Sequence, residues 1–252
     1  TPLKQYGNEK PRVFRLVEDQ ALINRLGFNN HGSDTILNRI KSNKKLGVLG
    51  VNVGPNKDSS DRLNDYLIGL EKFSEVADYI TINISSPNTE NLRNFHDENK
   101  LRELLNSISE KKKQLKTEVP IAVKISPDIK ENQIDLISEI LLQNSISAII
   151  ISNTSEASRE TLQNMQKHQK GGLSGKPIEK KSNLLISKFY NLIKGKIKII
   201  GVGGVDSGKA AYDKFLLGAD YVQLYTGMVF QGPNIAGMIK KDLKELLIRD
   251  GV

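Results

Sequence analysis

The segment Gly203-Gly204-Val205-Asp206-Ser207-Gly208-Lys209-Ala210 carries glycine, a four-residue gap, then glycine and lysine, the spacing of a loop that cradles phosphates. Ala210 stands where such a loop needs Ser or Thr to hold magnesium, which argues against a nucleoside triphosphate site. Gly201 and Gly203 also begin a dinucleotide fingerprint, but Asp206 occupies the place of its third glycine. What remains is a run of glycines straight after an apolar strand, leading into a helix that starts near Ser207. Those glycines either leave backbone N–H groups bare for an anion at the helix start or simply allow a tight turn. Tyr225-Thr226-Gly227, after the final apolar run, would add a hydroxyl and further N–H groups beside the same anion.

Lys124 interrupts the apolar stretch Ile121-Ala122-Val123-Lys124-Ile125. A charge there needs a partner, or must snorkel its head to solvent. A fixed ammonium could stabilise negative charge on a reduced flavin ring or a substrate oxygen. Asn83, Ser86, Asn88 and Thr89 cluster after one apolar run and Asn153-Thr154 end another. Asparagine offers both donors and acceptors, which suits a planar heterocycle with amide and carbonyl edges, although Ser-Ser-Pro-Asn also reads as an ordinary turn. His31, His96 and His168 show no metal-ligand spacing and are expected at the surface; no metal site is expected.

The elements that must position these groups are legible as apolar runs at Leu46–Val53, Tyr79–Ser85, Val119–Ser126, Ser147–Ser152, Ile197–Val202 and Tyr221–Tyr225. Near-continuous Val, Ile and Leu is the pattern of parallel strands covered on both faces. Between them, apolar residues at spacings of three and four mark helices, clearest over Leu101–Leu115, Gln133–Leu142, Asn183–Ile193 and Ile235–Leu247. Ser33–Asn43 reads as a further helix capped by Ser33 or Asp34, and Thr1–Phe28 as turn-rich chain without a strong strand. The irregular stretch Ser155–Pro177 is expected to be a flexible lid.

Alternating strand and helix gives an α/β parallel sheet. Polar or glycine residues follow almost every strand, which favours a closed (β/α)8 TIM barrel over an open sheet with one switch point. Such a barrel has eight strands and six are visible; the chain also opens on Thr1-Pro2 rather than methionine. The expectation is therefore one barrel domain over 1–252, N-terminally incomplete, with about two β/α units ahead of Thr1.

Composition narrows the classes further. The 252 residues hold 37 Lys and Arg against 29 Asp and Glu, and no cysteine. Disulfides, thiolate metal centres and cysteine nucleophiles are excluded. The basic residues are scattered over helices that also carry Glu and Asp, so no nucleic-acid partner is expected. No apolar run reaches the roughly 18 residues of a membrane span.

Four motifs in the same order resemble dihydroorotate dehydrogenases: Asn24-Arg25-Leu26-Gly27-Phe28-Asn29-Asn30, Asn83-Ile84-Ser85-Ser86-Pro87-Asn88-Thr89, Gly171-Gly172-Leu173-Ser174-Gly175-Lys176-Pro177 and Gly201-Val202-Gly203-Gly204. The resemblance implies an FMN-containing (β/α)8 barrel that oxidises dihydroorotate to orotate in pyrimidine (UMP) biosynthesis. Forms with a serine base pass electrons to a membrane quinone, and here that position is Ser86. By resemblance Ser86 takes the C5 proton, assisted by Thr89 and a site closed by Phe28. Asn24, Arg25, Leu26, Gly27, Phe28, Asn83, Asn88, Asn153 and Thr154 would meet the substrate. Asn52, Asn83, Lys124 and Ser152 would face the flavin, with Gly172, Gly204, Tyr225 and Thr226 towards its phosphate.

The family's first two strands, with their own FMN and substrate residues, have no counterpart here, nor does its membrane-docking helical extension. The resemblance further implies peripheral association with the cytoplasmic face of a bacterial inner membrane, through a segment absent from this sequence. Two alternatives stand beside it. An RNA-reducing dihydrouridine synthase would need a cysteine acid that is missing, and an inactive or cleaved barrel fragment would not hold FMN productively.

Overall fold

Strand and helix alternate along the chain of the computed structural model, which describes residues 1–89, 92–157 and 159–251. The strands are β1 (Val13–Leu16), β2 (Ala21–Asn24), β3 (Gly50–Val53), β4 (Tyr79–Asn83), β5 (Ile121–Lys124), β6 (Ala148–Ile151), β7 (Gly172–Gly175), β8 (Lys198–Val202) and β9 (Tyr221–Gln223). The helices are α1 (Ser33–Ser42), α2 (Arg62–Phe73), α3 (Glu98–Leu115), α4 (Glu131–Gln143), α5 (Glu179–Ile193), α6 (Gly208–Leu216), α7 (Thr226–Gln231) and α8 (Ile235–Asp250). Six strands form one parallel sheet in the order β3-β4-β5-β6-β8-β9. All six sequence-predicted strands are there, each shorter than its apolar run.

The two-residue period of a strand sorts the side chains. Ile80, Ile82, Ile121, Val123, Ile149 and Ile151 point outward and join the main core with Leu70, Leu104, Ile137 and Phe189 of the helices. Ala122, Ala148 and Ile150 form a smaller inner cluster against Tyr79, Ile200 and Val202. Ala122 and Ala148 leave room on the inner side, and near its C-terminal end the same parity delivers Asn52, Thr81, Asn83 and Lys124. Register aligns them in pairs, Asn52 with Thr81 and Asn83 with Lys124. Each large outward side chain contributes about 1.5–3 kcal/mol through burial, which holds the sheet and so the polar row.

Helix ends follow local chemistry. Asp61 accepts from the Asn64 N–H to start α2, and Ser207 accepts from the Ala210 N–H to start α6, where the sequence placed a helix start. For α1 the capping expectation is corrected: the N-cap is Gly32, and neither Ser33 nor Asp34 fills that place. Helices α2 and α7 also go beyond the sequence reading.

Two expectations about irregular chain are overturned. Thr1–Phe28 contains a hairpin, β1 against β2, and β7 pairs with β2 to complete a three-stranded antiparallel sheet over its own core of Phe14, Leu16, Ile23, Leu162 and Leu173. The stretch expected as a flexible lid therefore supplies a strand and two core leucines. It is also clasped by Arg159, whose guanidinium donates to the carbonyls of Gln169 and Gly171. Among the described residues no helix is long and apolar enough to cross a membrane.

His96 corrects the surface expectation. It is 3% exposed, its Nε2 accepts from the Ser126 N–H at 3.1 Å, and its Nδ1 lies 2.8 Å from the Arg93 carbonyl. A carbonyl only accepts, so this pair fixes the neutral Nδ1–H tautomer. Burial holds the imidazole down to about 4 from an ordinary 6.5. Between those values the unfolded chain binds more protons than the folded one, so stability falls as pH falls through that window. The loss should approach about 3 kcal/mol by pH 4. Urea unfolding followed from about pH 7 to about pH 4.5 should show it, and His96→Gln should flatten that slope; an equal slope in the variant would remove His96 as its source.

Candidate functional site

The polar row at the inner C-terminal end of the sheet is tied together by hydrogen bonds. Asn83 Nδ2 donates to Asn52 Oδ1 at 3.1 Å, and Asn83 Oδ1 accepts from Ser85 Oγ at 2.7 Å and from the Ser85 N–H at 3.2 Å. Asn153 Nδ2 donates to Ser85 Oγ at 2.7 Å, while its Oδ1 accepts from the Thr154 N–H at 2.8 Å. Each asparagine thus spends its oxygen and one amide hydrogen on the protein and keeps one hydrogen for a ligand. Asn88 reaches across to β2, donating to the Asn24 carbonyl at 3.0 Å. Its backbone N–H donates to Ser86 Oγ at 3.2 Å, and among the described residues the Ser86 hydroxyl proton has no acceptor.

Two cavities meet along this row. One of about 540 Å³ is lined by Asn52, Asn83, Ser86 and Asn88 from the parallel-sheet loops and by Gly27 and Phe28 above them. The other, of about 430 Å³, is lined by Ser152, Gly203, Gly204, Thr226 and Gly227. Asn24, Leu26, Lys124, Asn153, Thr154 and Tyr225 line both. The lysine at this junction has no hydrogen-bond or ion-pair partner among the described residues, and burial pulls its ammonium below the usual lysine value. Thr154 Oγ1 is likewise buried with no partner. An unpaired ammonium facing this common space calls for a ligand that supplies an anionic or acceptor edge.

The glycine loop suits an anion at the far end of the second cavity. Gly203 and Gly204 adopt φ of 118° and 74°, a conformation that glycine adopts without steric cost. Glu179 Cβ would lie only 2.4 Å from a Cβ on Gly204, so helix α5 closes directly over this turn. Thr226 Oγ1 donates to, or accepts from, Ser174 Oγ at 2.8 Å, which joins β7 to the start of α7 at the same cavity.

The sequence-predicted site residues mostly converge here. Asn24, Leu26, Gly27, Phe28, Asn52, Asn83, Ser86, Asn88, Lys124, Ser152, Asn153, Thr154, Gly204, Tyr225 and Thr226 line one cavity or both. Three lie apart from the linings. Arg25 turns away, its guanidinium 4.6 Å from the Phe14 ring and donating to the carbonyls of Pro11 and Lys170. Thr89 is buried behind the loop at 3% exposure. Gly172 pairs with Asn24 across β2 and β7 and lies behind Thr154. Residues the sequence reading left out are Arg93 and Asp128, which join the loops from behind and carry no local motif signal.

A family model described as dihydroorotate dehydrogenase matches residues 1–247. The protein named dihydroorotate dehydrogenase (quinone) of Bartonella tribocorum is 44% identical over 257 residues, covering all of this chain and 71% of its own length. The protein of that name from Idiomarina loihiensis is 44% identical over 249 residues, covering 96% of this chain and 74% of its own length. A crystal structure of ligand-free DHODH from Eimeria tenella superposes with a TM-score of 0.96 at 34% identity, covering all of this chain and 76% of that one.

Gly172 generates a test of this packing. A Cβ built there would lie 1.8 Å from Thr154 Oγ1 and 2.5 Å from Thr154 Cβ, so the hydroxyl occupies the space that any side chain would take. Gly172→Ala should cost about 1–3 kcal/mol in denaturant unfolding; an unchanged midpoint would show Thr154 free to move aside.

Proposed function

The chain belongs to the dihydroorotate dehydrogenase family, and from that premise we propose that it oxidises dihydroorotate to orotate in de novo pyrimidine synthesis, with FMN as hydride acceptor and a membrane quinone as final oxidant. The observation that carries this reading is the pair of joined cavities with the unpartnered Lys124 at their junction and Ser86 in one of them. An elongated ligand with a planar acceptor-rich ring and a phosphate tail answers both ends at once. FMN, when bound, supplies the hydride acceptor for the C6 hydrogen.

On this reading the residues divide by position. Gly204, Tyr225 and Thr226 hold the phosphate end, and Gly172 supports that wall from behind Thr154. Asn52, Asn83, Lys124 and Ser152 hold the ring and ribityl chain, the Lys124 ammonium offsetting negative charge at the ring edge. Asn24, Asn83, Asn88, Asn153 and Thr154 orient the substrate, the asparagines using the spare amide hydrogens described above. Arg25, Leu26, Gly27 and Phe28 form the segment above the substrate, and Phe28 excludes water.

Ser86 accepts the C5 proton as its own hydroxyl proton leaves through a water towards Thr89, so that negative, alkoxide-like charge develops on its oxygen. The Asn88 N–H, already directed at its oxygen at 3.2 Å, stabilises the charge that develops there. Thr89, buried behind the same loop, relays the proton onward.

The reading extends to architecture and location. β3 and β9 each pair on one side only, while Leu46, Val48, Tyr221 and Tyr225 are exposed beside those edges. Two further β/α units against them would complete an eight-stranded barrel, of which 1–252 is one FMN-binding domain with six strands. Quinone access and peripheral contact with the inner membrane's cytoplasmic face then belong to a segment outside this sequence, and no nucleic acid takes part. The competing reading, a barrel fragment unable to hold FMN productively, is decided by whether purified protein carries a yellow flavin chromophore.

Ser86→Ala should retain flavin yet slow its reduction by dihydroorotate by a factor of about 10² or more, read by stopped-flow absorbance. Near-normal reduction would remove Ser86 from the base role. Lys124→Ala should release flavin on desalting or slow its reduction, and unchanged behaviour in both would detach Lys124 from the cofactor.

A further inference from the structure

Arg93 lies outside both cavities, yet it holds together the two loops that the reaction needs. Its Nε donates to the Ser85 carbonyl at 3.2 Å and its Nη2 to the Thr154 carbonyl at 3.0 Å. Ser85 precedes the proposed base, and Thr154 belongs to the loop after β6 that carries the substrate-binding pair Asn153-Thr154. One planar guanidinium therefore fixes the distance between a loop after β4 and a loop after β6, two strands that are not neighbours in the sheet.

The guanidinium is itself fixed. Nη1 donates to Asp128 Oδ2 at 3.1 Å and to Glu156 Oε2 at 3.2 Å. Asp128, after β5, accepts from Ser155 Oγ at 2.6 Å, from the Glu156 N–H at 2.8 Å and from Lys181 Nζ at 2.5 Å. The Arg93 and Asp128 side chains are only 23% and 18% exposed, so this pair is better shielded than ordinary surface ion pairs. The Arg93 carbonyl is in turn held by the buried His96, which also secures the start of the Asp128 loop through the Ser126 N–H.

We propose that Arg93, anchored by Asp128, is a positioning residue that sets the spacing between the Ser86 loop and the Asn153–Thr154 loop, so that proton abstraction and substrate orientation act on one bound molecule. The proposal rests on the dihydroorotate reading and adds to it a residue that touches neither substrate nor flavin. A base loop and a binding loop that drift apart weaken both substrate affinity and the proton step, while the cavity beneath the glycine loop stays formed. A displacement of about 1 Å is enough to cost on the order of 10² in rate.

The test uses the flavin-loaded enzyme and separates its two half-reactions. Arg93→Ala should retain flavin, slow flavin reduction by dihydroorotate on the order of 10-fold to 100-fold, raise the dihydroorotate KM, and leave reoxidation of the reduced flavin by quinone at the parent rate. Arg93→Lys keeps the charge without the fork and should recover only part of the reductive rate. Asp128→Asn should give a smaller defect of the same kind, and combining it with Arg93→Ala should add little. Equal slowing of both half-reactions would mean a general structural role, and a parent-like reductive rate in Arg93→Ala or Arg93→Lys would overturn the proposal outright. If Arg93→Ala fails to fold, Arg93→Lys and Asp128→Asn carry the same readout. A parent enzyme whose flavin dihydroorotate does not reduce would instead refute the activity on which the proposal rests.

Discussion

An ammonium group in a largely apolar interior without a counter-ion is the constraint around which this molecule is arranged. Lys124 occupies the last position of β5, on the inner face, in register with Asn83 on one side and Ile150 on the other, with Ala122 below it on the same face. Desolvation penalises the charge there, as the lowered lysine value records, and no acidic side chain offsets it among the described residues. An anionic or acceptor group bound beside it would offset that penalty. Everything nearby is consistent with that: small residues leave room, the asparagines keep spare donors, and the glycine turn offers N–H groups at the far end.

The same constraint explains why the surrounding polar groups are so fully committed. A loose asparagine beside an unpaired cation would turn its oxygen to the ammonium and collapse the cavity. Here the oxygens of Asn83 and Asn153 are engaged by Ser85 and by the Thr154 N–H, which leaves donors rather than acceptors facing the space. Cation and donors together present a positive lining, which favours an acceptor-rich ligand over a cationic one. Behind it, Arg93 and Asp128 bind the loops to one another, so the lining keeps its shape when no ligand offsets its charge.

Legibility followed the number of covered faces. The central parallel strands β4, β5 and β6 are buried along most of their length, which forces continuous apolar runs. The more exposed edge strands β3 and β9 keep enough of that pattern to be readable to within a few residues. β1 and β2 read VFRL and ALIN, and β7 reads GLSG. Such short strands, one of them half glycine, carry too little periodicity to stand out, and only the long-range pairing of Asn24 with Gly172 makes them a sheet. A polar neighbourhood in sequence points His96 to the surface because it says nothing of the Ser126 N–H, supplied from thirty residues away. Arg93 is silent in sequence for the same reason: its partners include carbonyls on two distant loops, and carbonyls have no sequence signature.

This division between what was readable and what was hidden has a physical origin. Groups that would touch a ligand are chosen by type, since a donor, a cation or a glycine turn must be that residue wherever the chain runs; hence Ser86, Lys124, Asn153 and Gly204 could be picked out in advance. Groups that hold those residues in place act mostly on backbone atoms that every residue possesses. Arg93 meets two carbonyls, His96 one N–H and one carbonyl, and Asp128 one N–H beside its side-chain partners. The geometry of the site therefore depends on a layer of side chains whose partners are anonymous in sequence. Substitutions in that layer would alter spacing while leaving every ligand-facing residue intact.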